Sequence, residues 1–139
     1  AVLKLVEESG LGSRLMFMSQ DYPSMAVLQQ AHPEWWVGYC AYTSSGYLDE
    51  GIWQYDIDFL AVEESMVSNR LTRLARSQSL PIYVWSVYDS DRMLQYLQMG
   101  VTGLITDFPD IARSVVDAYQ ETSRTYQREA VAGSHGSLR

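Results

Sequence analysis

The sequence predicts an α/β fold built on a five-stranded parallel sheet. Helix-like and strand-like segments alternate along the chain, the pattern of linked βα units. The strand-like runs are apolar throughout, which suits a sheet buried on both faces. Their C-terminal ends carry hydroxyls and carboxylates, where parallel α/β sheets gather ligands. Such a pattern builds either a doubly wound sheet or part of a (β/α)8 barrel.

The elements follow in order. AVLKLVEES (1–9) reads as a helix with Val2, Leu5 and Val6 on one face, stopped by Gly10. LMFMSQ (15–20) is a short strand. PSMAVLQQAH (23–32) is a helix with Pro23 in its first turn, and Pro33 helps to end it. WWVGYCAY (35–42) is a strand, TSSGYLDEG (43–51) a loop, and IDFLAVE (57–63) the next strand. Residues 64–79 form a helix with Met66, Val67, Leu71 and Leu74 on one face.

PIYVWSV (81–87) is the clearest strand, rich in β-branched and aromatic residues. Alternation puts Tyr83, Trp85 and Val87 on one side, Val84 and Ser86 on the other. Residues 90–99 form a helix with Met93, Leu94 and Leu97, stopping at Gly100. TGLIT (102–106) is the fifth strand. The last helix runs from about Pro109 to Gln120 or beyond, with Ile111, Ala112, Val115, Val116 and Tyr119 inward. GSHGSLR reads as disordered, so the chain divides into a domain over 1–126 and a flexible tail over 127–139.

Composition narrows the function. The 139 residues suit one domain, and 47% hydrophobic content supplies its core. Net charge is −7, from 10 basic and 17 acidic residues, with no basic cluster. That argues against a nucleic-acid binder. The lone cysteine, Cys40, lies in an apolar run and reads as a buried structural thiol. No apolar run approaches the ~18 residues of a membrane span, and no signal peptide is visible. The first residues already read as helix, without initiator methionine or cap, so the chain is expected to be cut from something longer.

The strand ends supply the candidates for chemistry. Ser19 ends its strand as a phosphate-binding hydroxyl or as a turn former in SQDYP. Glu63 and Glu64 follow a strand. One of them would suit metal binding or acid/base work. Alternatively, Glu64 complements the dipole of the next helix. Trp85 reads as a pocket wall or an ordinary core aromatic. Asp89, Ser90 and Asp91 are N-cap candidates. Thr106 and Asp107 end the last strand, with Asp107 a turn or cap residue before Pro109. His32 sits between a helix and Pro33, and His135 lies in the tail. No metal-ligand spacing, Gly-rich phosphate loop or nucleophile–base pair appears.

PIYVWSVYDSDRMLQYLQMGVTGLITDFPD resembles the C-terminal end of the glycerophosphodiester phosphodiesterase family. Members read V-x-V-W-T-V-N, then a short helix, then G-V-D-G-I-I-T-D-x-P. LMFMSQDYPSMAVLQQAHPE is similar to the family's strand ending in Ser-Phe, followed by a helix and a proline. WWVGYCAYTSSG and DFLAVEESMVS resemble the membrane-anchored branch. The likeness covers roughly residues 12–118. Ser86, Tyr88, Thr102 and Gln20 depart from the family's usual residues.

The resemblance implies strands four to eight of a TIM (β/α)8 barrel, an incomplete barrel, since a whole one takes roughly 250 residues. It implies a metal-dependent hydrolysis of glycerophosphodiesters to glycerol 3-phosphate and an alcohol, in lipid and glycerol metabolism. The cation would be Mg²⁺ or Ca²⁺. The family's His-Arg-Gly, His-Asp and Glu-x-Asp motifs are absent here. No catalytic residue or metal ligand is therefore expected in this chain, no cofactor bound to it, and no activity from it alone. Ser19, Glu63, Trp85 and Thr106 are expected to line the substrate pocket. A parent protein would reach the membrane through a segment before residue 1, leaving this domain soluble. Open barrel edges invite self-association. The competing readings are a complete flavodoxin-like binding module and a non-catalytic scaffold.

Overall fold

In the computed structural model, which describes residues 2–42 and 50–134, each predicted apolar run contains a strand. These are β1 (Met16–Ser19), β2 (Trp36–Ala41), β3 (Phe59–Glu63), β4 (Ile82–Trp85) and β5 (Gly103–Leu104). All neighbours pair in parallel, in the order β1-β2-β3-β4-β5. A doubly wound sheet reverses direction at a switch point; this sheet never does. With right-handed crossovers, constant stepping puts the helices on one face. That is the layout of a (β/α)8 barrel segment, and it removes the flavodoxin-like alternative. Among the described residues, β1 and β5 each pair on one side only, so the barrel segment is open.

The helices are α1 (Val2–Ser9), α2 (Tyr22–Ala31), α3 (Asn69–Ser77), α4 (Ser90–Met99) and α5 (Pro109–Ser134). Local chemistry sets several of their ends. The Ser68 hydroxyl accepts from the Leu71 amide at 3.2 Å, and the Asp89 carboxylate from the Arg92 amide at 2.9 Å. These are N-caps of α3 and α4. Gly100 closes α4 in the left-handed region, φ +89°, where a side chain is strained. Between β2 and β3 the described residues include a 3-10 turn, Glu50–Gln54, whose buried Ile52 and half-buried Trp53 pack onto the core.

Register separates the two faces. Leu60 pairs with Ile82, and Val62 with Val84. This set packs against Leu71, Ala75, Met93 and Leu97 from the helices, forming the main core. The opposite, interior face carries Gly38, Cys40, Phe59, Ala61, Glu63, Tyr83 and Trp85. A smaller core of Val6, Leu28, Trp35 and Val37 seats α1 and α2.

Several expectations are corrected. The helix read over 64–79 is a 3-10 turn, Glu64–Met66, followed by α3, because Ser68 caps a new start. Val87 does not share a face with Trp85. The strand ends at Trp85, the Trp85–Ser86 peptide is cis, and Val87 lies in the main core with Val84. Val6 is the buried residue of α1, while Val2 and Leu5 are 69% and 68% exposed. Leu74, Leu94 and Ile111 also lie at the surface. The last helix, read to Gln120 or beyond, runs to Ser134. Of the loop read over 43–51, residues 43–49 lie outside the described residues, as do residues 135–139 of the tail read over 127–139. No helix among the described residues is long and apolar enough to cross a membrane.

Candidate functional site

The C-terminal rim of the interior face is built by neighbouring strand ends. Glu63 closes β3 and Trp85 closes β4, and the two are register partners. Partners point to the same face, so the carboxylate and the indole stand side by side. Both are half-buried. The Trp85 ring meets Tyr42 edge-to-face, with centroids 6.2 Å apart. Its Nε1 is buried and meets no partner at hydrogen-bonding geometry among the described residues. The Cys40 thiol is its weak neighbour. Burial pushes the thiol pKa up, and the contact with Trp85 pulls it part of the way back.

Glu64 faces the start of α4. Its Oε2 lies 3.4 Å from Arg92 Nε. Arg92 Nη2 donates to the Tyr96 hydroxyl at 2.7 Å, and that hydroxyl donates to the Glu64 carbonyl at 3.4 Å. The Tyr96 hydroxyl first, with the Glu64 carboxylate behind it, holds the Arg92 guanidinium charged beyond its usual range.

Ser19 and Thr106 are placed differently. Ser19 pairs with Tyr39, and Tyr39 with Leu60. That is the helix-facing set, opposite Glu63 and Trp85. The Ser19 hydroxyl accepts from the Asp21 amide at 3.1 Å and so closes the turn into α2. Thr106 follows β5, and its hydroxyl accepts from the Phe108 amide at 3.1 Å, shaping the turn into α5. Of the four residues expected in the pocket wall, register brings Glu63 and Trp85 together. The other two oxygens are engaged in turns.

Asp89 and His32 have structural partners. Asp89 is the cap of α4. His32 Nε2 lies 3.0 Å from Glu7 and Nδ1 3.4 Å from Glu34, and its ring stacks on Trp35 at 3.8 Å. It fastens α1 to the end of α2. No group of three or more His, Cys, Asp or Glu among the described residues is arranged to hold a metal. Sequence reasoning missed Arg92, Tyr96 and Tyr42. The i,i+4 spacing of Arg92 and Tyr96 was visible, but their shared partner comes from a distant strand end.

The Glycerophosphoryl diester phosphodiesterase family model matches residues 2–111. The chain belongs to this family. A glycerophosphodiester phosphodiesterase of Arabidopsis thaliana is 20% identical over 118 residues, covering 84% of this chain and 36% of that protein. The crystal structure of a glycerophosphodiester phosphodiesterase from Parabacteroides distasonis superposes with TM-score 0.73 at 18% identity, over 84% of this chain and 49% of that one. An Oleispira antarctica phosphodiesterase in complex with its product sn-glycerol-3-phosphate gives TM-score 0.65 at 18% identity, over 74% of this chain and 42% of that one. At such identities the structures show a shared fold, the TIM barrel. The chain spans about half or less of the length of these relatives.

Proposed function

We propose that the protein containing this barrel segment hydrolyses glycerophosphodiesters to glycerol 3-phosphate and an alcohol. The observation that carries the reading is the Glu63–Trp85 pair on the interior rim of a singly wound sheet, in a chain of this family. Barrel enzymes keep their chemistry at that rim.

The chain's own residues then have limited roles. Trp85 offers an apolar wall to the glycerol or head-group side of the substrate. Glu63 accepts hydrogen bonds from hydroxyls; its charge repels phosphate, so it belongs on the glycerol side. Thr106 and Ser19 shape the edges of the pocket through their turns. The reaction as proposed uses a divalent cation, Mg²⁺ or Ca²⁺. No set of three or more described His, Cys, Asp or Glu side chains fits such a site, so in this reading its ligands come from beyond the described residues. The same holds for the acid/base groups. The open edges of the segment also favour self-association in isolation.

The 139-residue chain therefore lacks turnover by itself, because losing acid/base groups removes orders of magnitude of rate. An assay of glycerol 3-phosphate release from glycerophosphocholine, with Mg²⁺ or Ca²⁺ added, tests this. The purified chain should match the blank, and metal-dependent turnover by it would overturn the division of labour.

A further inference from the structure

We propose that Arg92 and Tyr96 are positioning residues, holding the turn after β3 from the first turns of α4 so that the Glu63 carboxylate stays on the interior rim. The assignment of Glu63 to the pocket rests on the function proposed above. The clamp itself rests on geometry.

Two links from α4 reach Glu64, the residue next to Glu63, and a third ties them together. Arg92 Nε reaches the Glu64 carboxylate at 3.4 Å. The Tyr96 hydroxyl reaches the Glu64 carbonyl at 3.4 Å, and Arg92 ties to that hydroxyl at 2.7 Å. The same carbonyl also takes the Val67 amide at 3.2 Å. Side chain and backbone of one residue are thus held from α4 at once. The base of the clamp is firm: Met93 and Leu97 are buried in the main core, and Asp89 pins the Arg92 amide.

Stability alone gives this arrangement little purpose. Arg92 is half exposed, and exposed ion pairs add little to folding. Phe59 to Val62 are already buried by the sheet. What the clamp fixes beyond that is the last strand residue, Glu63, and the turn that follows. The backbone there sets the direction from which the Glu63 side chain leaves the strand.

Arg92→Met, Tyr96→Phe and a surface control, Arg113→Met, test the assignment in two ways. The first is amide hydrogen exchange in the 139-residue chain. The Val67 amide, which donates to the Glu64 carbonyl, should exchange about tenfold faster in both clamp variants while Leu60 and Val62 keep their protection. Exchange at Val67 equal to wild type and the control overturns the clamp. The second is steady-state kinetics in the full-length protein. Arg92→Met should raise KM about fivefold with kcat within about twofold, and add nothing in a Glu63→Gln background. Arg92→Lys, which keeps the charge, should recover part of the loss. A loss of equal size in both backgrounds overturns action through Glu63. If the wild-type protein shows no hydrolysis, the functional reading fails, and the exchange result still decides the clamp.

Discussion

Cys40 lies on the interior face of β2, where burial raises its thiol pKa above the usual cysteine value and the Trp85 contact partly offsets that. The folded chain therefore keeps the thiol proton to higher pH than the unfolded chain. Between the two pKa values the unfolded state binds fewer protons, so stability falls as pH rises. The contribution is whole below the unfolded pKa and is lost as pH climbs through the folded one. Urea unfolding followed upward in pH from below the ordinary thiol range should show this downward slope, and Cys40→Ala should remove it. An unaltered slope in the variant contradicts the placement. Close packing on the same face gives a second expectation. A Cβ at Gly38 would lie 2.4 Å from the Phe59 ring, so Gly38→Ala should cost about 1–3 kcal/mol by overpacking. At this scale the sequence marked Glu63 and Trp85 as strand ends, because a polar or aromatic residue closing an apolar run is a local signal. Ser19 carried the same signal and lies on the other face. Its face depends on pairing with β2, and no local pattern encodes that register.

Helix punctuation was the most legible part of the fold at the level of elements. The limits read for α4, 90–99, are those observed, because Asp89 and Gly100 act through the backbone beside them. Asp89→Ala should cost about 1 kcal/mol in chemical unfolding, the usual loss of an N-cap. A change indistinguishable from zero would mean the cap contributes nothing. The segment after β3 was harder to read. Its apolar spacing continues through Met66 and Val67, while the Ser68 cap restarts the helix. Periodicity reports a face, and a cap inside the pattern interrupts it silently. The clamp of Arg92 and Tyr96 was hidden for a related reason. Two residues on one helix meet a third across 28 and 32 positions, and only the packed structure brings them together.

The whole molecule turns on strand order. Doubly wound and barrel sheets share the same βα alternation, so the residues alone left both open until family likeness favoured the barrel. The observed order, never reversing, agrees with that. One consequence is an edge at β1 flanked by exposed Met16, Met18 and Trp36. Such surfaces pair readily, so light scattering on the isolated chain should give a mass above that of one chain. A monodisperse monomer would contradict it. The central claim is that this segment lends the wall of a glycerophosphodiester site. Its most direct test is the steady-state hydrolysis of a glycerophosphodiester by the full-length protein carrying Trp85→Ala. The account predicts a raised KM or a lowered kcat, with the protein still folded. Kinetics equal to those of the wild type would remove Trp85 from the site and contradict the account.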